Sequence, residues 1–132
     1  MRIFINRWFA RFAVKEGITN GELREMANQL ESGQSANRRP RTAGFDADLG
    51  GGVYKIRVAR SGKGKSGGYR VIVFFKSGEQ TFFVYGYAKS SRENLSRKEL
   101  KTYKDAAKEY LSMNTDELKE RIEHGQFVEL LE

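Results

Sequence analysis

The sequence predicts an α+β domain in which an antiparallel sheet is covered by helices from both ends of the chain. Two helical patterns precede residue 33, strand patterns with short connections fill residues 53–88, and two more helical patterns follow residue 96. Strands joined by short connections pair antiparallel, and helices must cover such a sheet. A chain of 132 residues buries one ordinary core, so we expect a single domain over residues 1–132.

The N-terminal region is predicted to form a short strand, Arg2–Ile5, and a helix, Arg7–Glu16. Asn6 is a favourable N-cap residue and Gly17 is a typical helix terminator. Four-residue spacing places nonpolar side chains along one side of this helix, and we expect them in the core: Trp8, Phe9, Phe12 and Ala13. A second row is basic and suits either RNA or solvent: Arg7, Arg11 and Lys15.

A second helix is expected at Asn20–Glu31. Thr19 and Glu22 have the spacing of a capping box, and Gly33 is expected to end the helix. The following residues, 33–44, are polar and contain three arginines and the only proline of the chain. This composition predicts a flexible basic loop.

Three strands are predicted in the middle of the chain: Val53–Arg60, Tyr69–Lys76 and Thr81–Ala88. A glycine-rich loop at residues 61–68 connects the first two strands, and a tight turn connects the second to the third. Alternation places Lys55 and Arg57 on the face opposite Tyr54, Ile56 and Val58. On the third strand, alternation places Phe82 and Val84 on the face opposite Phe83, Tyr85 and Tyr87.

The C-terminal part is predicted to be mainly helical. Ser96 and Glu99 have capping-box spacing and predict a long helix, and a shorter helix ending near His124 follows. A terminal strand is expected at residues 127–131. We interpret residues 112–132 as a C-terminal extension. Its residues 115–132 are expected to pack on the edge of the sheet, and contact with a protein partner is the alternative.

The charge of the chain is concentrated on the first two central strands and their connection. The net charge is +7, and residues 50–77 contain seven basic and no acidic residues: Lys55, Arg57, Arg60, Lys63, Lys65, Arg70 and Lys76. The other 17 basic residues balance the 17 acidic ones. A local excess of this kind, with tyrosines beside it, indicates a surface for a polyanion.

Four cations are candidates for one site on this surface. Lys55 and Arg57 project from the same face, Arg70 begins the neighbouring strand, and Lys89 follows the third strand closely enough to close the fourth side. Further contacts to RNA are expected from Arg60, Lys63, Lys65 and Tyr69. A salt-bridged sheet face is the alternative interpretation, but the hairpin contains no acid to form such bridges.

Several other classes of function do not fit the sequence. The chain has no cysteine and one histidine, which argues against a metal site, a disulfide framework or a two-histidine nuclease. The segment GKGKS at residues 62–66 lacks the first glycine of a phosphate-binding loop, because that position is Ala59, and it joins two strands. Short apolar runs and a charged N-terminus predict a cytoplasmic protein without a membrane span or signal peptide.

The central strands carry a resemblance to a known family. The segments DADLGGGVYKIRVARSGKGKSGGYRVI and FFVYGYAKSSRENLSRKEL resemble RelE-type toxins of bacterial type II toxin–antitoxin modules. Within them, the sequence is most similar to the RelE/HigB-like group with the pattern ADLGGG-x-x-K-x-RVAR-x-G-x-GKSGGYR. The similarity covers residues 1–32 and 44–132 and is interrupted by the basic loop.

The resemblance implies a fold, an activity and partners. The fold would be RelE-like: two N-terminal helices packed on a twisted antiparallel β-sheet, with C-terminal helices. The activity would be that of an mRNA interferase, an endoribonuclease that needs no cofactor and cuts mRNA in the A site of the translating ribosome, next to 16S rRNA. The partner would be a cognate antitoxin, in the HigA-like case a helix-turn-helix protein. The catalytic face of the family falls on Lys55, Arg57 and Arg70, and Lys89 stands where the family has a basic residue.

These residues suggest a metal-independent mechanism. Attack of a ribose 2′-hydroxyl on the adjacent phosphorus needs a base, an acid and stabilisation of phosphoryl charge. Our hypothesis is that Lys55 or Arg57 assists deprotonation, Arg70 stabilises the phosphorane, and Lys89 holds the phosphate or assists the leaving oxygen. A free lysine has a pKa of about 10.4, so the base role requires cationic neighbours that lower it. Two alternatives remain open: a non-catalytic RNA- or ribosome-binding module, and a ParE-like gyrase inhibitor.

Overall fold

The computed structural model describes the backbone of residues 1–36, 43–60, 64–88 and 94–131, and the side chains of these ranges except 34–36, 43–47, 59–60 and 64–67. Within these ranges the chain forms six strands and four helices. In chain order they are β1 (Arg2–Asn6), α1 (Arg7–Glu16), α2 (Asn20–Ala36), β2 (Ala43–Gly50), β3 (Val53–Arg60), β4 (Gly64–Lys76), β5 (Gln80–Ala88), α3 (Arg97–Leu111), α4 (Thr115–Glu123) and β6 (Phe127–Glu129). The predicted α+β class is confirmed.

The six strands form one sheet in the order β2-β3-β4-β5-β1-β6. Strands β2 to β5 are an antiparallel meander, as expected from their short connections. Strand β1 then pairs with β5 in parallel, and β6 closes the other side of β1 in antiparallel orientation. The sheet is therefore mostly antiparallel, with one parallel pair that joins its N-terminal and C-terminal strands to the meander.

Helices cover both faces of the sheet. On one face, which we call the α1/α2 face, nonpolar residues of these helices pack on alternate residues of the strands: Phe9, Leu23, Met26 and Leu30 on Tyr54, Ile56, Val71, Val73 and Phe83. On the other, the α3/α4 face, the core contains Ala107 and Leu118 with Phe4, Val53, Ile72, Phe74 and Phe82. Strand β4 is buried on both faces because it lies between these layers.

Helix α1 begins and ends as the sequence predicts. The Asn6 side chain accepts a hydrogen bond from the Phe9 backbone N–H at 2.7 Å, and Gly17 ends the helix with φ of 72°. Phe9 and Ala13 are buried, and Phe12 packs on the same core. Trp8, however, is 40 % exposed, so its assignment to the core was wrong.

Helix α2 begins at the predicted capping box but ends later than predicted. Thr19 and Glu22 exchange side-chain to backbone hydrogen bonds of 3.1 Å in both directions. The helix continues through Gly33 to Ala36, because one glycine costs a helix only about 1 kcal/mol. Strand β2 starts at Ala43, so the predicted loop 33–44 is helical at its beginning and strand at its end; residues 37–42 lie outside the described residues.

The hairpin of β3 and β4 is longer than predicted. Strand β4 starts at Gly64, which pairs with Arg60, so the predicted loop at 61–68 was wrong for residues 64–68. Cross-strand pairing overrides the weak strand preference of glycine and serine. Between the pairs Val58–Tyr69 and Arg60–Gly64, residues 65–68 stand opposite a single residue of β3, so the ladder has a large irregularity there.

Strand β5 contains a bulge that changes which side chains share a face. Phe83 pairs with Val73, but the next pair is Tyr85 with Ile72, so Val84 is inserted between them. From this point the alternation is reversed. Tyr85 and Tyr87 therefore lie on the α3/α4 face, and the prediction that they share a face with Phe83 was wrong.

The C-terminal elements follow the predicted signals. Capping boxes begin both helices, at Ser96 with Glu99 and at Asn114 with Glu117. The expected terminal strand is present as β6, which pairs with β1 and so packs this segment on the sheet edge. Over residues 1–36, 43–60, 64–88 and 94–131, no helix combines the length and the apolar character needed to cross a membrane.

Candidate nucleic-acid interface

A row of three residues crosses the central strands on the α3/α4 face. Arg57 of β3 lies directly opposite Arg70 of β4, and Arg70 lies directly opposite Tyr87 of β5. Directly opposite residues of neighbouring strands have Cβ atoms about 5 Å apart. The fold therefore places two guanidinium groups side by side on one face, next to an aromatic ring.

A second row lies beside the first, two residues away along each strand. It consists of Lys55, Ile72 and Tyr85, again on β3, β4 and β5. The Lys55 ammonium Nζ donates a hydrogen bond of 2.8 Å to the side-chain oxygen of Asn94, which comes two residues before the N-cap of α3. Lys55 thus lies on the same face as the two arginines, with its charged end held at the beginning of α3.

The two arginines differ in exposure. Arg57 is exposed, whereas Arg70 is only 8 % exposed and donates a hydrogen bond from Nη1 to the Tyr69 carbonyl oxygen at 3.4 Å. Like charges directly opposite on a sheet are destabilising. Among the described residues no acidic side chain forms an ion pair with Arg57. The exposed guanidinium of Arg57 is therefore accessible to an external anion.

Of the other predicted site residues, only Tyr69 has a described side chain, and it does not join this group. Tyr69 faces the opposite, α1/α2 side of the sheet, is 2 % exposed, and its hydroxyl donates to the Glu16 carbonyl oxygen at 3.3 Å. The prediction that Tyr69 contacts RNA does not fit this position, because the residue is almost completely buried. Arg60 and Lys65 have their backbones in β3 and β4, and their side chains lie outside the described residues, as do Lys63 and Lys89 entirely.

Three residues near the site were not singled out by the sequence. Asn94 lies in no periodic segment, so nothing marked it as the partner of Lys55. Tyr85 is brought to this face by the bulge at Val84, which alternation does not reveal. Trp8 was assigned to the core from its helical spacing, but the structure leaves it 40 % exposed.

The electrostatics elsewhere are those of ordinary surface pairs. Two hydrogen bonds of 2.8 and 2.9 Å from Arg2 to the Glu129 carboxylate lower the pKa of Glu129, and burial raises the pKa of Tyr110. Over the described ranges, no group of three or more histidine, aspartate or glutamate side chains is placed to hold a metal ion. The chemistry that this face offers is therefore that of cations and aromatic rings.

The fold and the paired arginines define a small basic α+β protein with a cationic sheet face. A family model described as the RelE toxin of the RelE / RelB toxin–antitoxin system matches residues 1–130. The match covers nearly the whole chain, so this protein belongs to the RelE family of toxins. Membership in a RelE/RelB system implies an antitoxin as its partner.

Proposed function

We propose that this protein is a ribosome-dependent mRNA endoribonuclease that inhibits translation. The observation that carries the proposal is the direct pairing of Arg57 with Arg70 on one sheet face, with Lys55 in the next row of the same face. A phosphodiester bound here meets two guanidinium groups and the side chain of Lys55. Guanidinium groups bind phosphate oxygens in a bidentate manner, which fixes both position and orientation.

In the proposed reaction, the ribose 2′-oxygen attacks the adjacent phosphorus. The 2′-hydroxyl gives its proton to a base while the new P–O bond forms a cyclic phosphate. The bond from phosphorus to the 5′-oxygen breaks, and that oxygen takes up a proton from an acid. Lys55 is the better candidate for the base, because an arginine keeps its proton at any physiological pH. Arg57 and Arg70 stabilise the charge on the phosphoryl oxygens of the transition state, and removing one such donor typically costs about 100- to 1000-fold in rate. Lys89 remains the proposed partner of the phosphate or of the leaving oxygen.

The composition of the site supports dependence on the ribosome. It offers cations rather than a histidine pair, and the only histidine, His124, caps the end of α4. Such a site contributes charge stabilisation, while the precise alignment of the 2′-oxygen with the scissile bond has to come from elsewhere. We propose that the A site and its 16S rRNA supply this alignment. The protein then acts in the cytoplasm, and its antitoxin is a HigA-like helix-turn-helix protein.

The test is induced expression in bacteria with mapping of mRNA 5′ ends, comparing wild type with Arg57→Ala. Arg57 is exposed, so its substitution changes the free energy of unfolding by no more than about 0.5 kcal/mol. We expect wild type to arrest growth and to produce new ends within coding frames. Arg57→Ala should lose at least about 100-fold in cleavage. Lys119→Ala, which removes an exposed charge on α4, is the matched control and should retain full cleavage.

Two outcomes would contradict the proposal. Full toxicity of both Arg57→Ala and Arg70→Ala would show that the paired arginines are not the site. Growth arrest without any new mRNA ends would favour a non-catalytic ribosome-binding protein or a gyrase inhibitor instead.

A further inference from the structure

A row of aromatic rings continues from the cationic face onto α1. Tyr85 lies 6.0 Å from Tyr87 and 5.9 Å from Tyr103 between ring centroids, with interplanar angles of 36° and 30°. On its other side Tyr85 lies 4.6 Å from Trp8, at 38°. Trp8 in turn stacks on Phe12 at 5.3 Å. We call the outer pair, Trp8 and Tyr85, the aromatic platform.

The platform is adjacent to the two arginines. Arg70 lies directly opposite Tyr87 of the neighbouring strand β5. Tyr85 lies two residues from Tyr87 along β5. With strands about 5 Å apart and about 7 Å for two residues along a strand, Tyr85 and Arg70 are separated by roughly 8 Å between Cα atoms. This is the scale on which one nucleotide follows another along a single strand. The bulge at Val84 creates this proximity, because without it Tyr85 would face α1 and α2.

The two platform rings keep surface that packing does not use. Trp8 is 40 % exposed and Tyr85 is half-buried, while the rings beneath them complete the core. Phe12 fills the space above Gly86, where a Cβ atom would come within 2.3 Å of it. Core packing thus accounts for Phe12 but leaves the indole of Trp8 in contact with solvent.

Cations surround the platform on its outer side. Arg7 precedes Trp8 and Arg11 follows it by three residues on α1, and Arg7 and Arg11 are both exposed. Beyond Trp8 lies an open groove of about 430 Å³, whose lining includes Arg7, Trp8, Tyr110 and Arg121. Arg121 is paired there with Glu109 at 2.8 Å, and Arg7 is exposed in the same lining.

We propose that the aromatic platform binds the unpaired bases of single-stranded RNA next to the cleaved bond. This inference rests on the proposed function, since it requires a phosphate at the paired arginines. Aromatic rings flanked by arginines along a cationic path are what sequence-tolerant binding of single strands uses: bases stack on the rings and phosphates meet the cations. An acidic protein surface would be held by the arginines but would leave the ring faces unused.

The single tryptophan of the chain provides a direct measurement. The probe is a short single-stranded RNA with 2′-O-methyl groups throughout, which cannot be cleaved because it has no 2′-hydroxyl. We expect this probe to quench the fluorescence of Trp8 on titration. The same sequence as a duplex should bind through its phosphates without quenching, because its bases are already stacked.

Two variants separate stacking from charge. Tyr85→Leu should weaken binding of the single strand by about 10-fold and leave duplex binding unchanged, since one stacked base contributes about that factor. Trp8→Leu, followed with a labelled probe, should behave in the same way and guards against a folding defect of the Tyr85 variant. Lys119→Ala is the control for both. Thermal melting curves confirm that each variant is folded.

Three results would contradict the proposal that the aromatic platform binds unpaired bases. One is equal quenching by single strand and duplex, another is unchanged single-strand affinity in both variants, and the third is quenching by an acidic antitoxin segment but not by RNA. These results are distinguishable from a failure of the proposed function. If the proposed function is wrong, Arg57→Ala retains full cleavage or no new mRNA ends appear, whatever the fluorescence shows.

Discussion

Two arginines lie directly opposite each other on neighbouring strands, Arg57 on β3 and Arg70 on β4. Arg57 is exposed, and water screens its charge, whereas Arg70 is buried and meets a low dielectric. The same burial strengthens the interaction of Arg70 with any anion that reaches it. Arg57 is therefore accessible to a phosphate, while the buried charge of Arg70 exerts a stronger electrostatic field beside it.

Asn94 is expected to act as a positioning residue for Lys55. Leu95, its neighbour, packs in the core of the α3/α4 face, and Ser96 caps α3, so the segment that carries Asn94 is anchored. Asn94→Ala removes the oxygen that accepts the hydrogen bond from Lys55. We expect cleavage in a translation extract to fall by about 10- to 100-fold, as for a misplaced catalytic group, while binding of RNA changes little.

Thr102→Ala is the control for this prediction, because it deletes a side-chain hydrogen bond within α3 itself, to the Lys98 carbonyl oxygen. If Asn94→Ala cleaved as fast as this control, the contact with Lys55 would have no functional role.

At this scale the sequence predicts the cations and misses their surroundings. Alternation along β3 is enough to place Lys55 and Arg57 together, because β3 is regular from residue 53 to 58. The same rule places Tyr69 on the face opposite Arg70, a signal that the RNA-binding prediction passed over. Asn94 was not predictable, since its contact with Lys55 depends on how α3 packs on the sheet.

The element that shapes the candidate site most is β5. Its bulge turns Tyr85 and Tyr87 toward α3, and its glycine at position 86 allows Phe12 of α1 to approach the backbone. Both features lie within four residues. They set where α1 lies on the sheet and which rings reach the cationic face.

Gly86→Ala is expected to destabilise the protein. The added Cβ would lie 2.3 Å from the Phe12 ring, which is itself packed between Trp8 and Phe9. Overpacking of this kind costs about 1–3 kcal/mol in the free energy of unfolding, measured by urea denaturation.

Gly21→Ala is the matched control for Gly86→Ala. It lies in the first turn of α2, where the nearest atom to a new Cβ is 3.8 Å away. This substitution should stabilise the protein by up to about 1 kcal/mol. Equal effects of the two substitutions would show that Phe12 moves aside without cost.

The attachment of β6 to β1 should depend on pH. The hydrogen bonds from Arg2 lower the pKa of Glu129 below its ordinary value of 4.5. A carboxyl group whose pKa is lowered by folding contributes stability above its unfolded pKa and loses it as the pH falls through the folded pKa. We expect the stability difference between wild type and Glu129→Gln to be below about 1 kcal/mol at neutral pH and to vanish in acid.

Urea denaturation at neutral pH and in acid measures this difference. Arg2→Gln should lower the free energy of unfolding at neutral pH by at least the same amount as Glu129→Gln, because it also removes the contact of the guanidinium with the Phe4 ring at 5.0 Å. A difference that stays constant down to acid pH would contradict the assignment.

Element boundaries followed their local signals where caps exist. Helices α1 and α3 start at the predicted residues, because their side-chain caps are local in sequence. The parallel pairing of β1 with β5 joins residues far apart in the chain, and no local pattern encodes it. The start of β4 was placed too late for the related reason that its glycines are held in the sheet by their partner strand.

At the scale of the whole molecule, the excess charge and the sheet order act together. The seven basic residues of residues 50–77 lie on β3, β4 and their connection, and these strands are neighbours in the sheet. The excess positive charge of the protein is therefore concentrated on the two central strands of the meander and their connection. Such an excess accelerates association with a polyanion and makes its affinity depend on salt.

The salt dependence of binding to single-stranded RNA should show whether phosphates contact this concentration of positive charge. Each phosphate neutralised contributes about 0.7 to the slope of log affinity against log salt concentration. We expect Arg57→Ala to lower the magnitude of the slope by about that amount, measured by fluorescence anisotropy of a labelled, uncleavable strand. Lys119→Ala should leave the slope unchanged, and equal slopes for all three proteins would contradict a phosphate contact at Arg57.

The inserted residue at position 84 also bears on how this protein diverges from its relatives. Deleting one residue at the bulge would exchange the outward and inward sets of side chains for the rest of β5. A single genetic event could then replace the whole aromatic surface beside the arginines, a change that point substitutions would need several steps to reach. Relatives aligned by residue type alone would match the wrong positions beyond the bulge, and a structure-based alignment is needed to compare what they recognise.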